Sequence, residues 1–502
     1  MISPFTSRLG TNYCPPDDEI SQIKALLVEP SLRLKRLDEE IAVLQQERDF
    51  LAASIGAHQA LLSPIRQLPL DLIQEIFVAC LPTHRNCVMS TMEAPVLLGR
   101  ICSSWRTISL TTPRLWTRLH VVEPSQHWID AKVVQRVEVL KMWFGRSGVL
   151  PLSISIHCTT RDFLRTLLPF AARWQHIQFL NVPDSLEPLS HITEVDVPML
   201  KSFAIPFLTQ ANWALLAIFR GPRISGFTAS AGDFATGNLP LRWHQLTTLQ
   251  MRGFPSGDSM TSQKILQMLS RCPQLRVCEL VFHDSDSTPH SPVELKFLHS
   301  LDLVPSGVDA AVTFLLDRLL LPELRNFTLR TPNADGQHNP PPLFHYIALW
   351  DKLESLEIET SSFSISSWPQ AIRSLPATLR QLVIHDTRVG PPIETALTIL
   401  TRPPEIPAQC PVLEELHITC SRLLLEAALL RFIAARMRGA SPSALRSVEV
   451  AFDLEMEVDI LPDLQPFIGA GLHVSLTYKP SSQRQWSPWS GLPDDPNPKV
   501  LW

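Results

Sequence analysis

The apolar positions of most of the chain repeat as a short phrase, apolar-x-x-apolar-x-apolar. In each copy the last two apolar residues are two apart, which is the alternation of a half-buried β-strand. Successive copies start roughly 22 to 34 residues apart. The copies are Trp174-Ile177-Phe179, Leu200-Phe203-Ile205, a degenerate Ile224-Phe227-Ala229, Leu246-Leu249-Met251, Leu275-Cys278-Leu280, Leu298-Leu301-Leu303, Leu324-Phe327-Leu329, Leu353-Leu356-Ile358, Leu379-Leu382-Ile384, Leu413-Leu416-Ile418 and Leu445-Val448-Val450.

Helical stretches lie between these strands, for example at 261–269, 312–320 and 423–437. Because one strand and one helix cannot cover their own apolar face, neighbouring units must stack and share a core. The phrase resembles the strand signature of leucine-rich repeats, which implies an irregular α/β solenoid over residues 151–478. A doubly wound α/β domain would alternate in the same way, but no glycine-rich strand-to-helix turn accompanies these strands.

A seven-residue period governs residues 31–62 and predicts a coiled-coil-like helix, capped at its start by Pro30. Arg48 and His58 interrupt the pattern. Two interpretations stay open, a parallel homodimer through 31–62 or a single helix packed against its own chain. Residues 1–30 are predicted to be a disordered lead. The core positions are filled by Leu34, Ile41, Ile55 and Leu62 and by Leu37, Leu44 and Leu51.

The segment from Pro64 to Trp116 predicts two short amphipathic helices, because its apolar residues recur three and four apart. The first starts near Leu68, with Pro69 suited to a first helical turn. Its apolar residues are Leu68, Leu72, Ile73, Ile76 and Phe77, and those of the second are Leu97, Leu98, Ile101, Cys102, Trp105 and Ile108. Helices this short bury little surface, so a partner or a neighbouring domain is expected.

The order of these residues resembles the F-box, most closely in the large F-box families of fungi. The resemblance covers residues 64–120 and departs from the motif at the connection from His84 to Ala94. It implies docking on the Skp-type adaptor of a cullin-RING ubiquitin ligase. The adaptor-binding residues that it implies are Leu68, Pro69, Leu72, Ile73, Ile76, Ile101, Cys102 and Trp105. The alternative is that they form only the core of a helical hairpin, and for Trp105 in particular we expect a core position.

Two further segments complete the predicted organisation. Residues 121–150 have an amphipathic pattern that predicts a helical linker, after which Leu152, Ile154 and Ile156 alternate with serines as the first strand. Residues 479–502 are rich in Pro, Ser and Asp and are predicted to be a disordered tail.

Composition narrows the possible partners. With 502 residues, the chain exceeds what one compact core usually holds. Its 44 basic and 49 acidic residues give a net charge of -5, which offers no footprint for nucleic acid. Nine scattered cysteines without a CxxC pair are typical of reduced thiols, and no apolar run approaches the length of a membrane span. We therefore expect a cytoplasmic or nuclear protein that binds no membrane.

The sequence carries no catalytic motif: neither a GxSxG elbow, an HExxH pair nor a phosphate-cradling loop is present. Cys80, His84 and Cys87 are the nearest approach to a metal cluster, but no second ligand pair lies nearby. We predict no enzyme activity, no cofactor and no metal.

Strand alternation predicts an acidic outward face on the later repeats. Arg252 and Arg330 supply opposing charges on that face. We hypothesise that this face recognises a basic segment of an unknown target protein; the alternative is that its charges only keep the strands solvated. The residues placed there are Glu279, Asp302, Glu357, Glu359, His385, Glu415, His417 and Glu449.

Together these patterns predict an α+β chain in which an N-terminal helix and a helical F-box precede an irregular leucine-rich-repeat α/β solenoid. The function that they favour is a substrate-recruiting F-box subunit of a Skp-cullin-F-box ubiquitin ligase. A leucine-rich-repeat interaction scaffold not linked to ubiquitin, with residues 64–116 as a helical cap, is the alternative.

Overall fold

The chain divides into two compact units, Met1–Cys80 and Leu81–Trp502. The boundary falls inside the predicted F-box segment, so its two helices belong to different units. The computed structural model describes residues 3–123, 130–181, 185–206, 217–230, 239–252, 260–282, 291–305, 310–330, 343–387, 390–401, 410–420, 426–438, 444–453, 456 and 459–479. The predicted tail therefore lies outside the described residues, except for Lys479.

The first unit is dominated by one long helix, α1 (Asp17–Leu61). Three acidic residues in its first turn complement the helix dipole and give it a start well before residue 31. The helix thus begins inside the predicted disordered lead, and Pro30 lies in its interior rather than at its start. A proline removes one hydrogen bond from the ladder, which good helix formers on both sides tolerate.

The second helix of this unit, α2 (Leu70–Ala79), starts two residues later than predicted. Pro69 precedes its first turn with φ -55° and ψ 149°, an extended conformation. Leu68 is also extended, as expected of a residue that precedes proline. A 3-10 turn at Pro64–Gln67 lies between the two helices.

The second unit opens with two short helices where the sequence predicted one, α3 (Leu98–Ile101) and α4 (Ser103–Leu110). Cys102 separates them with φ -156° and ψ 171°. Its Sγ accepts a hydrogen bond from the backbone N–H of Trp105 at 3.4 Å, so the thiol caps α4. The prediction of a continuous helix was wrong, because the spacing of apolar residues does not reveal a single extended residue between two helices.

Fourteen strands of the second unit form one sheet, in which every neighbouring pair is parallel and strand order follows chain order. β8 and β10 form a separate two-stranded pair. The strands are β1 (Arg118–Val122), β2 (Leu152–His157), β3 (Trp174–Asn181), β4 (Ser202–Ile205), β5 (Gly226–Ser230), β6 (Thr248–Arg252), β7 (Val277–Phe282), β8 (Val293–Glu294), β9 (Ser300–Pro305), β10 (Leu319–Leu320), β11 (Asn326–Leu329), β12 (Ser355–Glu359), β13 (Gln381–His385), β14 (Glu415–Cys420), β15 (Ser447–Phe452) and β16 (His473–Thr477).

Short helices connect the strands, as the repeat pattern predicted. They are α5 (Asp130–Arg146), α6 (Arg161–Arg165), α7 (Glu187–Ser190), α8 (Ser262–Leu269), α9 (Ala310–Leu316), α10 (Phe344–Ile347), α11 (Trp368–Arg373), α12 (Ile393–Leu400), α13 (Glu426–Met437) and α14 (Leu461–Gly469). Six-residue and shorter 3-10 turns occur at Pro113–Trp116, Leu168–Arg173, Ala217–Arg220, Trp243–Gln245 and Thr360–Ser362.

All eleven apolar phrases place their last two apolar residues on strands of the large sheet. These residues meet across the sheet in register, as Phe203 with Phe227 and Phe227 with Leu249. All three are fully buried, while the residues between the phrase positions point to the other face. A shared core of stacked rows is therefore confirmed.

Three boundaries differ from the prediction. β1 overlaps the end of the predicted F-box segment 64–120 and the start of the predicted helical linker 121–150, because Leu119 and Val121 are buried in strand alternation beside β2. Helix α9 ends at Leu316, short of the predicted 320, and Leu319 and Leu320 pair with β8 instead. β16 carries only a weak apolar pattern and was missed.

The connection from His84 to Ala94, which departs from the F-box motif, covers the outer edge of β1. The backbone N–H of His120 donates to the carbonyl oxygen of Cys87 at 2.7 Å. The Arg118 guanidinium donates to the carbonyl oxygens of Pro82 at 2.9 Å and Arg85 at 2.6 Å. This covering segment, residues 82–88, pairs the edge that an outermost strand would otherwise leave open.

Trp116 is the core aromatic residue of this region, whereas Trp105 is only half-buried. Trp116 is 3% exposed and packs edge-on against Trp143 with 4.7 Å between the ring centroids. Its Nε1 donates to the carbonyl oxygen of Ser109 at 2.8 Å, and the Arg146 guanidinium lies 4.6 Å from its ring centroid. The expectation that Trp105 would supply the core was therefore wrong.

We predict that Trp116→Ala lowers the free energy of unfolding by about 3 to 5 kcal/mol, as truncation of a buried tryptophan does. Trp105→Ala is the matched control and should cost no more than about 2 kcal/mol, because its ring keeps contact with water. Denaturant titration followed by circular dichroism measures both values. Equal losses for the two variants would contradict the assignment.

Candidate functional site

The first candidate surface is the apolar side of α2. Ile73 and Phe77 are buried, whereas Leu70, Leu72 and Ile76 are exposed. Leu72 and Ile76 expose 47% and 40% of their surface, which is unusual for large aliphatic residues on one short helix. Of the predicted adaptor-binding residues on α2, Ile73 is therefore buried, whereas Leu72 and Ile76 form an outward apolar strip.

The remaining predicted adaptor-binding residues lie in the turn before α2 and around the break between α3 and α4. Leu68 is half-buried and Pro69 is exposed in the turn before α2. In the second unit, Ile101 and Cys102 are exposed at the break between α3 and α4, and Trp105 is half-buried. Leu70 is an exposed apolar residue that the motif comparison missed, because it falls outside the quoted pattern.

The second candidate surface is the outward face of the sheet in its later repeats. Arg330 lies between two carboxylates, 3.4 Å from Asp302 and 3.2 Å from Glu357. The same oxygen of Glu357, Oε1, also lies 3.1 Å from His385 Nε2. One strand earlier, Arg252 pairs with Glu279 at 2.8 Å. The predicted acidic residues are therefore largely paired across strands.

This pairing follows from the register of the sheet. Glu279, Asp302, Thr328 and Glu357 occupy one row that crosses β7, β9, β11 and β12. Arg252, Arg330 and His385 each lie on or directly after a neighbouring strand, two residues beyond the position directly opposite the carboxylate they contact, and long side chains span this diagonal distance. The predicted acidic residues lie on the outward face together with Arg252 and Arg330, the opposing charges named from the sequence. Which carboxylate pairs with which arginine depends on the neighbouring repeats and was not predicted.

The row ends in a histidine between two carboxylates. His417 Nδ1 lies 3.2 Å from Glu449, and its Nε2 lies 3.7 Å from Glu415. Glu415 also accepts a hydrogen bond from Gln381 at 2.9 Å. Glu415 and Glu449 each expose 47% of their side chains, more than Glu279, Asp302 or Glu357. Glu359 is half-buried in the row of His385.

Asp302 is the least satisfied member of this row. Burial raises the pKa of its carboxyl to about 6, the positive charge of Arg330 opposes the shift, and the negative charges of Glu279 and Glu357 add to it. Its Oδ1 has no hydrogen-bond partner within the described residues. Glu357 behaves oppositely, because the hydrogen bond from His385 and the charge of Arg330 lower its pKa despite burial.

A third surface was not predicted: a polar cleft of about 330 Å³ on the same face over the first repeats. The imidazole of His176 contacts the Ser202 hydroxyl at 2.7 Å, and Thr228 donates to Gln250 at 2.9 Å. Burial lowers the pKa of His176, which favours its neutral form. The described lining residues include two arginines and no carboxylate, and they are Thr83, His84, Arg85, Asn86, Arg118, Ser153, Ile154, His176, Ile177, Gln178, Ser202, Ala204, Thr228 and Gln250.

Sequence reasoning missed this cleft because its wall combines residues from successive strands with the covering segment. Among the described residues, no group of three or more His, Cys, Asp or Glu side chains could hold a metal ion. No helix in the described part of the chain is long and apolar enough to cross a membrane.

Comparison with known proteins gives weak similarities of fold. No protein-family model matches the chain, and no curated protein is similar to it in sequence. Among solved structures, the leucine-rich repeat-containing protein LegL7 from Legionella pneumophila is 9% identical over 66% of this chain and 90% of its own, with a TM-score of 0.31. A protein from Bacteroides fragilis is 12% identical over 55% of this chain and 74% of its own, with a TM-score of 0.32. The repeat architecture stands on the strand order and register of this chain itself.

We predict that Asp302→Asn raises the thermal midpoint of unfolding at pH 7 to 8. Since the folded pKa of Asp302 is raised, its contribution to stability is complete below the unfolded pKa of about 4 and is lost as the pH rises through about 6. The midpoints of the two proteins should therefore converge at about pH 4.

Glu449→Gln removes a carboxylate from the same face and serves as the matched control, for which no gain at pH 7 to 8 is expected. Differential scanning fluorimetry across the pH range measures all three proteins. A lower midpoint for Asp302→Asn at pH 8 would show that its ion pair with Arg330 outweighs its burial.

Proposed function

We propose that this protein is a substrate-recruiting F-box subunit of a Skp-cullin-F-box ubiquitin ligase. The observation that carries the proposal is the outward apolar strip of α2. Leu72 and Ile76 stand at positions where the F-box resemblance expects adaptor contacts, and the chain leaves both exposed. Ile73 and Phe77, on the same helix, are used for the chain's own packing.

The physical argument is that exposed aliphatic residues are stabilised by a partner that removes them from water. Complete burial of a leucine or isoleucine side chain is worth about 1.5 to 3 kcal/mol. Leu72 and Ile76 lie four residues apart on one side of α2 and can therefore supply the centre of a moderately tight interface. Pro69 extends this strip at the start of the helix, where it is exposed.

Target recognition is assigned to the outward face of the sheet. Asp302 and Glu357 already share Arg330, so they offer little charge to a partner. Glu415 and Glu449 are more exposed; Glu415 contacts Gln381 and His417, and Glu449 contacts His417. We assign the steering of a basic target segment to this pair, because exposed charges raise the rate of encounter.

A second candidate function is an interaction scaffold not linked to ubiquitin. It is favoured by the covering segment 82–88, which hydrogen-bonds to the edge of β1 as the cap of a repeat array does. In that function residues 64–116 would act as a helical cap, and the outward strip of α2 would bind a partner other than the Skp-type adaptor.

Replacing Leu72 and Ile76 together by aspartate should abolish binding of the Skp-type adaptor. Truncation of central interface residues typically costs about 2 kcal/mol or more, which is roughly a thirtyfold loss of affinity. Because both residues are exposed, the fold should persist. Co-purification of adaptor and cullin with the full chain, followed by immunoblotting, measures the result.

Val195→Asp with Leu349→Asp is the matched control, since these residues expose 80% and 74% of their surface in the repeat region. The control should retain adaptor and cullin. If neither the unmutated chain nor the control captures them, the scaffold function is favoured and the F-box assignment fails.

Reversing Glu415 and Glu449 to lysine should remove captured target proteins while adaptor binding persists. The reason is electrostatic, because two lysines replace the most exposed carboxylates of the row and repel a basic segment. Quantitative mass spectrometry of affinity-purified complexes compares this variant with Glu138→Lys and Asp162→Lys, which reverse exposed charges elsewhere. An unchanged set of targets would leave these carboxylates a role in solubility only.

A further inference from the structure

The long helix α1 has a regular apolar face that its own chain does not cover. At about 1.5 Å per residue, its 45 residues extend for roughly 67 Å. No described residue of this helix is buried, although Leu34, Leu37 and Ile41 lie on one side of it. Most helices in proteins draw their stability from packing of an apolar face, so we expect this face to have a partner. The interpretation in which it packs against its own chain is therefore disfavoured.

The uncovered face follows the heptad. We call its two core positions the seam; they are 34, 41, 48, 55 and 62 and 37, 44, 51 and 58. Seven of these nine positions hold leucine or isoleucine, and all seven are exposed. Pro30, the next seam position towards the N-terminus, interrupts the apolar pattern, which resumes at Leu27 and Ile23.

A shallow groove on the surface of α1 coincides with the seam. In a coiled coil each core side chain enters a hole formed by four residues of the facing helix. Residues 44, 47, 48 and 51 form one such hole, and residues 48, 51, 52 and 55 form the next. The groove is lined by the union of these two sets, Leu44, Glu47, Arg48, Leu51, Ala52 and Ile55.

The distribution of charge identifies the occupant and its direction. All the charged residues of the helix lie before Phe50, and residues 50–62 contain no Asp, Glu, Lys or Arg. An antiparallel copy would place the charged half of one helix against the uncharged half of the other. In a parallel copy, the two charged halves lie side by side and so do the two uncharged halves. Arg33 and Asp38 occupy the two heptad positions beside the seam. In a parallel pair, Arg33 of one copy therefore faces Asp38 of the other, which is an attractive contact.

Arg48 fits the same arrangement although it interrupts the apolar seam. In a parallel pair in register, Arg48 of each copy enters the hole formed by residues 44, 47, 48 and 51 of the other, where Glu47 supplies an opposite charge beside the second Arg48. A polar residue at one core position costs stability but fixes the register and the number of chains. The groove therefore fits a second copy of this helix better than an unrelated apolar helix.

We propose that the protein is a parallel, in-register homodimer held by the seam of α1. This inference rests on α1 alone and holds whether or not the chain binds a ubiquitin ligase. Its consequence for function is that every molecule presents two repeat faces and two α2 strips. Two copies tied together bind a multivalent target with far higher avidity than one.

The first test is the mass of the full chain by light scattering. The unmutated protein should show twice the chain mass of 56.4 kDa. Ile41→Asp places a charge in the seam and should weaken association by about 100-fold or more, since a buried unpaired charge is strongly disfavoured. The variant should therefore have the mass of a single chain, and a second seam variant, Leu51→Asp, should have the same single-chain mass.

Val43→Asp is the matched control, because Val43 lies two residues from Ile41, off the seam, and is at least as exposed, at 64% against 50%. It should remain a dimer. A single-chain mass for the unmutated protein, or dissociation by Val43→Asp as readily as by Ile41→Asp, would overturn the proposal.

The second test addresses direction and register. Leu37→Cys should form a disulfide between copies on mild oxidation, because equal positions of the seam meet only in a parallel pair in register. Val43→Cys is the control and should cross-link much less, with the unmutated chain giving the background from native cysteines. A dimer in which Leu37→Cys fails to cross-link would overturn the parallel arrangement.

Discussion

Registered pairing between successive strands is the constraint on which the second unit depends. The residue before each strand donates its backbone N–H to the same position one repeat earlier, as in Arg325 to His299, Glu354 to Arg325 and Arg380 to Glu354, at 2.7 to 2.9 Å. These bonds continue the sheet ladder beyond the strands themselves. Because register fixes which side chains share a row, the buried rows, the ion pairs and the cleft all follow from it. A slip of one residue would exchange the buried and outward faces.

The period-two phrase made the strands predictable, because each strand must bury alternate residues wherever it lies in the array. The same reasoning failed at the ends. β1 and β16 have neighbours on one side only, so weaker patterns suffice there. Partnerships such as Arg330 with Glu357 were also beyond local reasoning, since they depend on which repeat sits next to which. The single extended residue Cys102 left no trace in hydrophobic spacing, because its neighbours keep helical periodicity on both sides.

The outward face differs in chemistry between its early and its late strands, although the same alternation of side chains produces both parts. Its early strands present hydroxyl, amide and imidazole groups around Arg118, and its later strands present carboxylates tied to Arg330 and two histidines. Hydrogen-bonding groups without net charge discriminate by shape and direction, whereas charges act at longer range. A protein held along this face would thus be oriented by its charge at one end and fitted by hydrogen bonds at the other.

The covering segment beside β1 limits where the chain can be truncated. The carbonyl oxygen of Cys87 accepts the His120 N–H, a group that an outermost parallel strand otherwise offers to any extended chain, and the Arg118 side chain ties residues 82 and 85 to the same strand. A fragment beginning at β2 would lose both this cover and β1, and would present a bare row of N–H and C=O groups. Such an edge recruits strands from other molecules and leads to aggregation. The repeats therefore cannot be excised cleanly at the predicted boundary near residue 151, and a soluble fragment has to begin no later than Leu81.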